Sequence, residues 1–174
     1  MNLILVAFLG NPGKEYERTR HNYAWMLADK LGEGLTWQQK FKAEIASWAL
    51  NDLKAWFLKP QTFMNLSGDS VGAALGFYKL ETSQLLVVHD DLELPLGEYK
   101  FQRGGGLGGH NGLRSLEKHL GTRDFYRFRL GIGRPRKGDV SAHVLGRFRP
   151  EEEITLNQTL IKISQEWKSL LEKI

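Results

Sequence analysis

The chain contains no cysteine, which removes disulfides, thiolate metal sites and cysteine nucleophiles from consideration. It also lacks a long hydrophobic run. The longest near the start, Leu3 to Leu9, is far too short to span a bilayer, and it has neither the basic flank nor the small-residue cleavage site of a signal peptide. No low-complexity tract, linker or internal repeat interrupts the 174 residues. With 41% hydrophobic and 25% charged residues, the composition is that of a globular protein, so one soluble, cytoplasmic domain covering residues 1–174 and no membrane contact are expected. Serine-hydrolase chemistry has no support, because there is no Gly-x-Ser-x-Gly elbow and Ser67 lies between Leu66 and Gly68.

What is present is an uneven distribution of charge. The formal net charge is only +4, yet residues 100–149 hold twelve of the 24 Lys and Arg residues and three acids, Glu117, Asp124 and Asp139. Clustered arginine is the footprint of a polyanion partner, because each neutralised phosphate releases counterions; charge alone equally fits a solvated basic surface.

Periodicity gives the architecture. Asn2 to Leu9 is an apolar run that ends at Gly10-Asn11-Pro12-Gly13, the pattern of a central strand entering a tight turn. Tyr23, Ala24, Leu27, Ala28 and Leu31 recur at helical spacing and stop at Gly32. Glu44–Ala49 and Ala55–Leu58 read as a hairpin around Asn51 and Asp52. A second helix is expected over Leu66–Tyr78, burying Val71, Ala74, Leu75 and Tyr78, and further strands over Gln84–His89, Tyr99–Arg103 and Phe125–Ile132, the last with one charged face. Gly112–Leu120 reads as a helix, and so does Glu151–Ile174, with Ile154, Ile161, Trp167, Leu170, Leu171 and Ile174 as its apolar side. This alternation predicts an α/β fold: a single domain built on a mixed, twisted β-sheet with helices on both faces.

Chemistry in such sheets gathers where loops leave the carboxyl ends of strands. Three loops fit: one with Asn11, Tyr16, Arg20, His21 and Asn22, one with His89, Asp90 and Asp91, and the run Gly104–Gly112 with His110 and Asn111; Met64 and Asn65 stand at the start of the second helix. Gly104, Gly106 and Gly109 satisfy the dinucleotide fingerprint literally, but the preceding segment is polar and the acid expected about 20 residues on is misplaced. Six glycines in nine positions do expose backbone N–H groups ahead of a helix N-terminus, which favours negative charge. His89 with Asp90, Asp91 and Glu93 hints at a metal, yet no second histidine falls at ligand spacing, so no metal is expected. Taken singly, His21 reads as a surface or capping residue and Asn22 as a helix cap.

Together, the segments resemble bacterial-type peptidyl-tRNA hydrolases. The motifs are G-N-P-G-K-E-Y with T-R-H-N at 10–22, K-P-Q-T-F-M-N-L-S-G at 59–68, H-D-D-L-E-L-P-L-G at 89–97 and G-G-G-L-G-G-H-N-G at 104–112, with F-R-L-G-I-G-R-P at 128–135 agreeing in kind. The resemblance extends from the first strand to about Phe148. It implies a monomeric α/β hydrolase without cofactor that cuts the ester between a peptide and the terminal ribose of tRNA. It also implies that His21 is the general base, with Asp90 as its orienting carboxylate and Asn11 beside the scissile ester. Asn65, Asn111 and His110 would position substrate, Met64 would wall the peptide groove, and Tyr16 would stack on the terminal base. Arg129 would grip a tRNA phosphate. The family's partner lysine for that grip is Gln102 here, leaving the second cation open between Lys100, which shares the face of Gln102, and Arg103. A non-catalytic RNA-binding protein on the same scaffold is the alternative, and a nucleotide-dependent oxidoreductase a more distant one.

Overall fold

The computed structural model describes residues 3–174, so Asn2, where the first strand was expected to begin, lies outside the described residues. In chain order the elements are β1 (Leu3–Phe8), α1 (Tyr23–Leu31), β2 (Gln38–Lys40), β3 (Ala43–Leu50), β4 (Leu53–Pro60), α2 (Ser67–Tyr78), β5 (Leu85–Asp91), β6 (Tyr99–Arg103), α3 (Asn111–Leu120), β7 (Tyr126–Gly131), α4 (Val140–Val144) and α5 (Pro150–Leu171). The strands form one sheet in the order β2-β3-β4-β1-β5-β7-β6. Its centre, β4-β1-β5-β7, is parallel, whereas β2, β3 and β6 are antiparallel additions at the two edges.

The parallel centre explains why β1 is apolar throughout rather than alternating: both of its faces are covered. Val6 and Phe8 join Leu27 of α1 and Leu156 and Trp167 of α5 in one core. Leu5, Ala7 and Leu9 join Val71 and Leu75 of α2 and Leu116 of α3 in the other. Trp167 closes the first core, with its ring 6.2 Å from Phe8 and 6.0 Å from Phe128; truncating it to alanine should cost ~3–5 kcal/mol.

Two expectations need correction. The buried stripe of α5 is Leu156, Leu160, Ile163, Trp167, Leu170 and Leu171, whereas Ile154 is 65% and Ile161 48% exposed. The buried set keeps the three- and four-residue spacing of one helical face, and the two isoleucines fall outside it. The second concerns β6. Because it is antiparallel, its carboxyl end lies at the far edge of the sheet, where Arg103 pairs with Tyr126 at the start of β7. The glycine-rich run must therefore travel back across the sheet before α3 begins. This topology removes the dinucleotide reading, which needs a glycine turn between a parallel strand and its crossover helix. The parallel strands β1, β4 and β5 do end together, which places Asn11, Met64 and Asp90 at one edge. No described helix is long and apolar enough to cross a membrane.

Candidate active site

The T-R-H-N segment is held from several sides. The Thr19 hydroxyl donates to the Tyr16 carbonyl at 2.8 Å. Arg20, buried, pairs with Glu152 of α5 at 2.7 Å and donates to the His143 carbonyl of α4 at 3.1 Å. Asn22 does not cap α1. Its side chain accepts from the Asn11 N–H at 2.8 Å and donates to the Asn11 carbonyl at 2.9 Å, zipping the turn that carries His21 to the loop after β1. The Asn11 carboxamide oxygen in turn accepts from the Met64 N–H at 2.7 Å. That bond fixes the amide's orientation and leaves its Nδ2 as a donor.

The centre of the site is Asp90. His21 Nδ1 stands 2.9 Å from each of its carboxylate oxygens, and His110 Nε2 is 3.0 Å from Oδ1. Asp90 accepts, so both nitrogens donate. The tautomer of His110 is fixed independently, because its Nδ1 accepts from the N–H groups of Gly112 and Leu113 at the start of α3. Burial alone would raise the Asp90 pKa, but the two histidines and their hydrogen bonds outweigh it and hold the carboxyl well below its usual range. For His21, burial opposes the charged form, yet the charge and hydrogen bond of Asp90 prevail and its pKa lies above 6.5. His89, fully buried beneath this group, is pushed down to about 3, by burial first and then by the neighbouring His110. It stays neutral and donates from Nδ1 to the Asp90 carbonyl at 2.8 Å.

Sequence spacing concealed this convergence: ligand atoms of His21, Asp90 and His110 lie within 4.8 Å of one another, a cluster that the metal argument from local spacing did not anticipate. In the geometry found, the two histidine nitrogens facing Asp90 are occupied as its donors.

From Asp90 a cleft of about 470 Å³ runs under the glycine-rich run to Arg127, Arg129 and Arg134. Asn111 lines it, exposed at the first turn of α3. Asn65 is also exposed, on the turn against which α3 packs; no hydrogen bond joins Asn65 or Asn111 to His21 or Asp90 among the described residues. Met64 is buried rather than an open wall. A Cβ on Gly112 would lie 2.6 Å from its sulfur and 2.9 Å from Leu9 Cδ1, so the start of α3 rests closely on Met64 with glycine at 112, and a larger residue there would have to displace these side chains. Tyr16 is half-buried on the neighbouring loop and does not line the cleft.

At the basic end, Arg129 Nε donates to Asp91 at 2.7 Å and its Nη1 to Gln102 Oε1 at 2.8 Å. Lys100 stands directly opposite Arg129 in the β6–β7 ladder. Arg103 points to the other face, where it pairs with Asp124 at 2.8 Å and lies 5.3 Å over the Tyr126 ring. Of the two cations left open by the sequence, Lys100 is the one beside Arg129. Sequence reasoning missed Arg127 as a site residue. It is buried with no carboxylate at ion-pair distance among the described residues, and it donates to the Gly106 carbonyl at 2.6 Å. The Phe-Arg alternation after Asp124 was its signal.

Comparison with known proteins gives the family. The family described as peptidyl-tRNA hydrolase matches residues 5–174. This chain belongs to the peptidyl-tRNA hydrolase family. It is 52% identical to the peptidyl-tRNA hydrolase of Trichlorobacter lovleyi over 87% of its own length and 80% of that protein. It is 50% identical to that of Treponema pallidum over 87% and 79%. The crystal structure of peptidyl-tRNA hydrolase from Acinetobacter baumannii superposes with a TM-score of 0.91 at 34% identity, covering 98% of this chain and 89% of that one. The α/β fold of this peptidyl-tRNA hydrolase family member is thus shared across its whole sheet.

Proposed function

We propose that this chain hydrolyses the ester between a peptide and the 3′-terminal ribose of tRNA, with His21 as general base. The observation that carries the reading is the His21 imidazole held through Nδ1 on both oxygens of a buried carboxylate, which leaves Nε2 with a lone pair beside the cleft. Water is a poor nucleophile near neutral pH. As it attacks the ester carbonyl, Nε2 takes its proton, and Asp90 stabilises the imidazolium that forms. The Asn11 Nδ2 donates to the oxyanion, its other end being committed to Met64. When the carbon–oxygen bond to the ribose breaks, the imidazolium returns a proton to the leaving oxygen, giving free tRNA and a peptide acid.

Asn65, Asn111 and His110 position substrate around this centre, His110 also supplying a second donor to Asp90. Met64 supports the peptide groove from below, and Tyr16 offers a ring for the terminal base. Arg129, with Lys100 adding charge on the same face, takes a tRNA phosphate. The chemistry requires no cofactor, and the chain works as one catalytic domain, a monomer, in the cytoplasm. Purified protein should release peptide from peptidyl-tRNA in the presence of chelator. Turnover that survives His21→Ala would refute the mechanism. The RNA-binding alternative is not favoured, since a binding scaffold has no need of a base and its carboxylate.

A further inference from the structure

Gln102, in the lining of the cleft, has both ends of its amide committed to site elements, and it stands where the family pattern leads one to expect a cation. Gln102 Oε1 accepts from Arg129 at 2.8 Å, and Gln102 Nε2 donates to the Gly104 carbonyl at 2.8 Å. The loop backbone lies directly on this amide: a Cβ on Gly105, whose φ is +106°, would sit 2.5 Å from Gln102 Nε2. A second tether is the bond from Arg127 to the Gly106 carbonyl. Backbone bonds among the described residues fix only the two ends of the run, from the Gly104 N–H to the Phe125 carbonyl at 2.9 Å and from the His110 N–H to the Leu107 carbonyl at 3.0 Å, and Gly104, Gly105, Gly108 and Gly109 are all at positive φ. At its far end stands His110, bonded to Asp90.

We propose that Gln102 is a positioning residue: its amide holds the guanidinium of Arg129 and the glycine-rich loop in one geometry, so that the loop presents His110 to Asp90 and Asn111 to the cleft. The inference rests on the hydrolase reading for its effect on turnover. Only an amide supplies an acceptor for Arg129 and a donor for Gly104 from one side chain of this length. A lysine keeps a donor for Gly104. A glutamate keeps only the acceptor, and an alanine keeps neither.

The test compares Gln102→Ala, Gln102→Glu and Gln102→Lys on peptidyl-tRNA and on a short peptidyl-adenosine, with amide hydrogen exchange of the free proteins. Gln102→Ala and Gln102→Glu should lower kcat on the short substrate about three- to tenfold, roughly the worth of one hydrogen bond, leaving KM there unchanged and speeding exchange across Gly104–Gly109. Gln102→Lys, which keeps the donor for Gly104, should leave kcat on the short substrate and exchange across Gly104–Gly109 close to those of the unaltered chain, its missing acceptor for Arg129 showing only as a changed KM on peptidyl-tRNA. Gln102→Ala should in addition raise KM on peptidyl-tRNA, because Arg129 loses its acceptor. Unchanged kcat and exchange in the alanine and glutamate variants, or a lysine variant as slow as alanine, would overturn the proposal. If the unaltered chain fails to turn over peptidyl-tRNA, the hydrolase reading falls, while the exchange data on free protein still decide whether Gln102 orders the loop.

Discussion

The two ends of the cleft are built on opposite principles. At the histidine end a buried carboxylate receives two imidazole donors, and the outer partner of each ring is already set: backbone N–H groups for His110, and the cleft for His21. At the arginine end, Arg129 is held by Asp91 and Arg134 by Glu93. On the proposed reading, these acids give way to tRNA phosphates. The difference follows from what each end must do. Groups that meet developing charge gain by being fixed beforehand in a water-poor setting, whereas groups that bind a polyanion must also release the product tRNA.

The comparison breaks most sharply at His21 and Asp90. His21→Ala should cost roughly 10²- to 10⁴-fold in kcat, equally on peptidyl-tRNA and on a short peptidyl-adenosine. Asp90→Asn should fall in the same range, because an amide no longer selects the His21 tautomer that leaves Nε2 free. The sign of the pH effect follows from the raised His21 pKa. The base works when deprotonated, so the acid-side midpoint of activity should lie above that of an ordinary imidazole, and Asp90→Asn should move that midpoint downward while lowering the plateau. A rate profile whose acid midpoint is unmoved in Asp90→Asn would mean that another group sets it.

At the other end the expected effects are smaller and substrate-dependent. Arg129→Ala should weaken peptidyl-tRNA binding by about tenfold and flatten the dependence of log K on log salt by about one unit, with the short substrate spared. Equal losses on both substrates would place Arg129 with the chemistry instead.

How much of this was readable from the chain differs between the same two ends. The apolar strands β1 and β5, the helices α1, α2, α3 and α5 and the motif residues were legible, because apolar periodicity and glycine punctuation are local signals, whereas the strand order and the short helix α4 were not read. The convergence of His21 and His110 on Asp90 joins residues 69 and 20 positions apart, which no spacing rule reaches; only the joint presence of the motifs suggested the His21–Asp90 pair. Strand alternation did place Lys100 with Gln102, and the β6–β7 register sets it opposite Arg129. It could not show that Gln102 is spent on the loop, nor that Arg127 turns inward, since both follow from the antiparallel course of β6 that sends the glycine run back across the sheet. The exposed Ile154 and Ile161 were misplaced for a similar reason: α5 carries apolar residues on more than one side, and the sheet alone decides which side is covered.

The smallest effect concerns the exchangeable acid itself. Asp91 is held below its usual carboxylate range: burial opposes this, but the Arg129 hydrogen bond and the Glu93 N–H outweigh it, so it is ionised at neutral pH and competes with phosphate for Arg129. Asp91→Asn keeps an acceptor for the Glu93 N–H and removes the competing charge. At low salt the variant should bind peptidyl-tRNA about two- to fivefold more tightly, the scale of a partly screened ion pair, with no change on the short substrate. The gain should fade as salt rises. A loss of affinity instead would show that Asp91 aims Arg129 at its ligand rather than holding its place, and the arginine end would then be as fixed in advance as the histidine end.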